Sequence, residues 1–112
     1  MPAYVIVDIH ITDPAEYEEY RRSAAPTLSP FGGRYLVRGG VTAVLEGEWT
    51  PGRLVVLAFP SAAQARAWWS SPEYTAIRAI RLRSAVSSMV LVEGVEEATA
   101  GQPPAATSSL RQ

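Results

Sequence analysis

The chain has no cysteine, no lysine, a single histidine and no long apolar run. Each absence closes a class of function. Without cysteine there is no disulfide framework, no thiolate metal site and no cysteine nucleophile. Without lysine there is no Schiff-base chemistry on the protein, and all 10 basic side chains are arginine. One histidine, His10, excludes a histidine cage within a single chain, and no metal is expected. No stretch approaches the roughly 20 apolar residues of a membrane helix. The net charge is -1 with no basic or acidic block, so the basic stripe of a nucleic-acid binder is missing. The start, Met1-Pro2-Ala3-Tyr4, has no basic flank, and the expected compartment is the cytoplasm.

What is present is enough for one domain: 112 residues, 47% of them hydrophobic. In residues 3–11, Val5, Val7, Ile9 and Ile11 alternate with Tyr4, Ile6, Asp8 and His10, which predicts a strand with one apolar and one mixed face. Asp13, Pro14 and Glu16 form a capping box that opens a helix with Tyr17, Tyr20, Ala24 and Leu28 on one stripe. Pro26 should kink or end it. Residues 34–38 read as a second strand, Gly39-Gly40 as a turn, and 41–47 as a third strand completing a hairpin. Residues 53–59 (RLVVLAF) read as a fourth, the most apolar and therefore central. A second capping box at 61–64 opens a helix carrying Ala65, Trp68 and Trp69. A further helical segment starts at Ser71-Pro72-Glu73 and runs to about Arg83, and residues 87–93 form the last strand.

A helix after the first strand, a hairpin in the middle and helices before the last strand point to the βαββαβ order of an α+β, ferredoxin-like domain with one strand to spare, and to helices on one face of an antiparallel sheet. The fold is expected to end near Val95. Residues 96–112, rich in Ala, Pro, Ser, Thr and Gln, read as a disordered tail. The fourth strand is apolar on both sides, so the sheet face away from the helices needs cover. A second copy packed face to face would supply it, through an isologous interface.

Several motifs in order resemble the DUF1330 family. They are Ala3-Tyr4-Val5-Ile6-Val7-Asp8-Ile9, then Thr12-Asp13-Pro14 with Tyr17 and Tyr20, and Phe31-Gly32-Gly33-Arg34-Tyr35-Leu36-Val37-Arg38-Gly39-Gly40. Leu45-Glu46-Gly47, Phe59-Pro60-Ser61 and Ser71-Pro72-Glu73-Tyr74 with Arg78 and Arg81 follow. The resemblance spans about residues 3–95. It implies the dimeric α/β-barrel superfamily, whose members include cofactor-free monooxygenases, muconolactone isomerase-like enzymes and polyketide cyclases. The family's name states that its function is unknown.

The candidate chemistry is a polar set. Asp8, Arg38 and Glu46 are the candidates for proton transfer and charge stabilisation, and Tyr20, Tyr74, Arg78, Arg81 and His10 for holding a substrate. Tyr74, Arg78 and Arg81 share one helical stripe, and arginine forks suit a carboxylate or enolate. An Asp8–Arg38 contact is the natural pairing of two half-buried charges. Three readings stand side by side. One is a cofactor-independent acid–base enzyme acting on a small anionic or enolisable molecule. Another is a non-catalytic small-ligand-binding or accessory homodimer, with a small organic acid as the expected kind of ligand. The third is a set of charges that lock the structure.

Overall fold

The computed structural model describes residues 1–95. The expected tail at 96–112 lies outside the described residues. Four strands and three helices follow one another as β1 (Ala3–Ile11), α1 (Pro14–Ala24), β2 (Arg34–Arg38), β3 (Arg53–Phe59), α2 (Ala62–Ser70), α3 (Pro72–Ser84) and β4 (Ala85–Glu93). The sheet order is β2-β3-β1-β4, with every neighbouring pair antiparallel. This is the α+β ferredoxin-like arrangement.

The caps form as their residue types dictate. Asp13 accepts from the Glu16 N–H at 3.2 Å, and Ser61 from the Gln64 N–H at 3.2 Å. Ser71 does double duty. Its hydroxyl donates to the Trp68 carbonyl at 2.7 Å, closing α2, and accepts from the Tyr74 N–H at 3.2 Å, opening α3. Pro26 ends α1, and two short 3-10 turns carry the chain to Gly32, whose φ of 75° is open to glycine without strain.

The two-residue period of β1 sorts its side chains cleanly. Val5, Val7 and Ile9 are buried beneath the helices with Val55, Leu57 and Phe59 of β3. Tyr17 and Tyr20 of α1, Trp68 of α2 and Tyr74 of α3 close the core from above. Trp68 stacks on Tyr74 with centroids 4.0 Å apart, and its indole N–H donates to Thr27 Oγ1 at 2.9 Å. The polar end of this large side chain is therefore satisfied inside the core.

Two features depart from the sequence-based expectation. First, residues 41–47 form no strand. The β1–β3 ladder ends at the Ile9–Arg53 pair, and past it the loop 39–52 leaves the sheet. A strand exists only by pairing, and this segment meets no partner among the described residues. Second, Leu36 is an extra residue in β2. Tyr35 faces Leu57 and Val37 faces Val56, so β2 has a bulge between them. Arg34 pairs with Ala58 and so lies on the side away from the helices. Arg38 pairs with Val55 and lies on the helix side with Tyr35.

Candidate functional site

A narrow cleft with a cavity volume of about 20 Å³ lies between α1 and the helix side of the sheet. Val7, Ile9, Val55, Leu57 and Met89 floor it, and Leu28, Ala24 and Trp68 close its inner end. Its polar lining is Tyr17, Tyr20 and Arg21 from α1, Tyr35 and Arg38 from β2, and Arg53 from β3. Strand register explains the sheet residues: Arg53 pairs with Ile9 and Arg38 with Val55, both cleft-side positions.

The cleft is cationic. Among the described residues three arginines line it and no carboxylate does. Arg21 is neutralised from outside by Glu18, with Nη2 2.6 Å from Oε2. Arg38 donates to the Arg21 carbonyl at 3.3 Å and lies 4.3 Å from the centre of the Tyr35 ring. Arg53 lies over Tyr17 at 6.0 Å, and its buried Nε has no hydrogen-bond partner. Neither Arg38 nor Arg53 has a carboxylate partner among the described residues. The stems of the three arginines are part of its lining, and little free space is left within it. These stems are long and rotatable, and an entering anion would meet their charged ends first.

Beneath the cleft lies a buried polar knot. The Tyr20 and Tyr74 hydroxyls are 2.8 Å apart, and the Arg81 guanidinium lies 5.8 Å from the centre of the Tyr20 ring. Arg81 is only 4% exposed; it donates to Ser87 Oγ, and its Nε is without a partner. Burial pushes the Tyr20 hydroxyl far up, and the neighbouring Tyr74 oxygen adds to this. Burial would lower Arg81, but the Tyr74 and Tyr20 oxygens outweigh it and keep the guanidinium protonated. Burial, the largest influence, likewise raises Tyr35. At neutral pH Tyr20 and Tyr35 are therefore hydrogen-bond donors rather than bases.

The structure divides the eight candidate residues among separate places. Tyr20 and Arg38 line the cleft, with Tyr74 and Arg81 beneath it. Arg78 is outside: its guanidinium lies 3.9 Å from the centre of the Trp69 ring and donates to the Trp69 carbonyl at 3.0 Å. Asp8 and His10 are on the opposite face of the sheet. Asp8 does not pair with Arg38, because the bulge puts Arg38 on the helix side. Instead Asp8 accepts from the Trp49 indole N–H and the Gly52 N–H, each at 2.8 Å, with His10 Nε2 3.4 Å away. These bonds, Trp49's first, hold its carboxyl below the ordinary value. Glu46 is exposed in the loop 39–52. Among the described residues no three His, Cys, Asp or Glu side chains come together as a metal would require.

Arg53, Tyr17 and Tyr35 were not among the candidates. Parity could have found Arg53: it shares a side with Val55, Leu57 and Phe59, the buried half of its strand. Tyr35 needed only the same rule applied to β2.

The four-stranded sheet with helices on one side belongs to the ferredoxin-like class. A family model described as "Domain of unknown function (DUF1330)" matches residues 2–95, and the chain is a member of the DUF1330 family. No curated protein matches it. Among solved structures it is similar to the RPA0582 protein of unknown function from Rhodopseudomonas palustris. That match has 17% identity and a TM-score of 0.69, covering 86% of this chain and 84% of the other. A dimeric ferredoxin-like protein of unknown function from Thermobifida fusca matches at 18% identity and TM-score 0.56, covering 81% and 89%. SnoaB, a cofactor-independent oxygenase from Streptomyces nogalater, matches at 14% identity and TM-score 0.55, covering 90% and 98%. At these identities the likeness is one of fold.

Proposed function

We propose that this chain is a homodimer that binds a small anionic or enolisable organic molecule in the cleft between α1 and the sheet. The observation that carries this reading is the lining itself. Two arginines without acidic partners, Arg38 and Arg53, sit beside tyrosine hydroxyls over an apolar floor. An apolar pocket with a few convergent polar groups is the usual form of a small-ligand site. Guanidinium forks grip a carboxylate, phenolate or enolate with two hydrogen bonds, and the aliphatic floor takes the rest of the molecule. Ligand charge would replace the missing carboxylate. The homodimer covers the far side of the sheet, where Val37, Val86, Val90 and Val92 are exposed. Dimeric neighbours of the same fold support it.

The test is calorimetric titration and thermal melting with benzoate and salicylate against their neutral amides. A binder at ten times its dissociation constant stabilises by about 1.4 kcal/mol, which raises the melting temperature by roughly 6–11 °C in a domain of this size. Arg53→Gln should remove the acid's advantage over the amide while leaving the fold intact. Equal responses to acid and amide would overturn the reading.

A second reading, cofactor-independent turnover, has its own support: the same arginines could stabilise an enolate as it forms, with Tyr35 or Tyr20 donating to it. Among the described residues no carboxylate of the same chain lines the cleft, and Asp8 and Glu46 lie away from it. Once a substrate is in hand, Arg38→Ala should abolish turnover while the dimer stays folded. Undiminished turnover in that variant would remove Arg38 from the chemistry.

A further inference from the structure

The loop 39–52 is an arm without a place of its own. It is rich in strand-forming residues, Val41-Thr42-Ala43-Val44-Leu45, yet it joins no strand. Val41 is fully exposed, Leu45 is 94% exposed, and Val44 and Trp49 are more than half exposed. Exposed apolar residues gathered in one segment are seldom left to water.

The arm is nevertheless fixed at its root. The Gly39 N–H donates to the Leu54 carbonyl at 2.8 Å, and Asp8 holds both Trp49 and Gly52. Gly52 lies so close to the Ile9 carbonyl and the His10 ring that a side chain would not fit there. Asp8 and His10 point to the sheet face opposite the helices, so the arm is tethered to that same side. Its outward half is therefore presented rather than folded back.

A second apolar surface on the chain also lacks cover. On the far face, β4 shows Val86 (68% exposed), Val90 (56%) and Val92. The molecule measures 47 × 35 × 17 Å, and its thin dimension has room for one sheet and one helix layer only. Charges match as well. The arm carries Glu46 and Glu48, both exposed, and the far face of β2 carries exposed Arg34; none of the three has an ion-pair partner among the described residues. A loop of this length projects roughly 20 Å out and back. A four-stranded sheet is about 14 Å wide.

We infer that the arm of one copy lies across the far face of a second copy, its Val41 and Leu45 seated against Val86 and Val90 of β4, with the exchange made twice about a twofold axis. The inference rests on the homodimer reading but goes further, since two sheets could pack face to face without using the arms. In this arrangement the dimer is clasped, and Asp8 is a positioning residue for the clasp.

The chain's lack of cysteine makes the test clean. Leu45→Cys and Val90→Cys chains are made separately, mixed and oxidised. A disulfide-linked dimer that forms in the mixture, and not in either variant alone, supports the clasp. Its absence, with a dimer still present by analytical ultracentrifugation, overturns it. A second experiment separates the two readings. Val41→Asp/Leu45→Asp should weaken dimerisation at least tenfold with an unchanged circular dichroism spectrum. If Val90→Asp breaks the dimer and the arm variant does not, the clasp falls and the face-to-face dimer stands. A monomeric wild-type chain would overturn both.

Discussion

Asp8 shows how one side chain can be read two ways. A carboxylate on a central strand suggests an acid–base group, and its hydrogen bonds to Trp49 and Gly52 suggest a tether. Two N–H donors hold it in the charged form, which suits a tether and not a base at neutral pH. Because the folded state depresses its pKa below 3.8, its contribution to the fold is complete above that value and is lost as pH falls through the folded one. The Trp49 indole N–H resonance should therefore stay put from pH 7 to 5 and shift only below about 4. Asp8→Asn should abolish that acid transition. A shift that persists in Asp8→Asn would take the tether away from Asp8. Tyr20 offers a second check. Tyr20→Phe leaves the Tyr74 hydroxyl buried beside Arg81 without its partner, and a loss of about 1–3 kcal/mol in urea unfolding is expected. An unchanged midpoint would mean that the hydroxyl pair is dispensable to the fold.

At the scale of elements, the signals that the chain carries locally were legible. Asp13, Ser61 and Ser71 start helices because a short polar side chain reaches the N–H three residues on, and nothing distant is needed. Ser71→Ala should cost about 1 kcal/mol or more, and more than Ser61→Ala, because it also removes the hydroxyl bond to the Trp68 carbonyl, leaving that oxygen only the Ser71 N–H. Matched denaturation curves for the two variants would check the order. The alternation in β1 foretold the core side, since burial there follows parity alone. The loop 39–52 failed for the opposite reason: its composition is that of a strand, but a strand needs a neighbour, and local residues do not say whether one is present. Arg38 was placed as a candidate, but the face it takes depends on the bulge, for which the run Arg34–Arg38 carries no glycine or other marker. Arg53 was passed over because the apolar length of its strand drew attention away from its first residue.

For the whole molecule, one layer of helices on one sheet leaves half of the sheet's side chains without cover. A chain of 112 residues has little material to cover them itself. If a second copy does so, stability becomes a property of concentration. The melting temperature should rise as protein is raised from about 1 to 100 μM, and a concentration-independent value would argue for a self-sufficient monomer. The family match ends at residue 95, and a chain cut after Val95 should keep both the melting temperature and the dimer.

The bulge in β2 has a bearing on how relatives of this protein are aligned. Leu36 is the surplus residue, and β2 is an edge strand that bonds only to β3. With Leu36 deleted, Tyr35 and Arg38 would keep their partners Leu57 and Val55 in an unbroken ladder. A one-residue gap at that place is then silent for the cleft, whereas a gap one strand over, in β3, would turn Arg53 away from it. Length variation at a single edge position can thus pass through a lineage without erasing the cations that line the cleft.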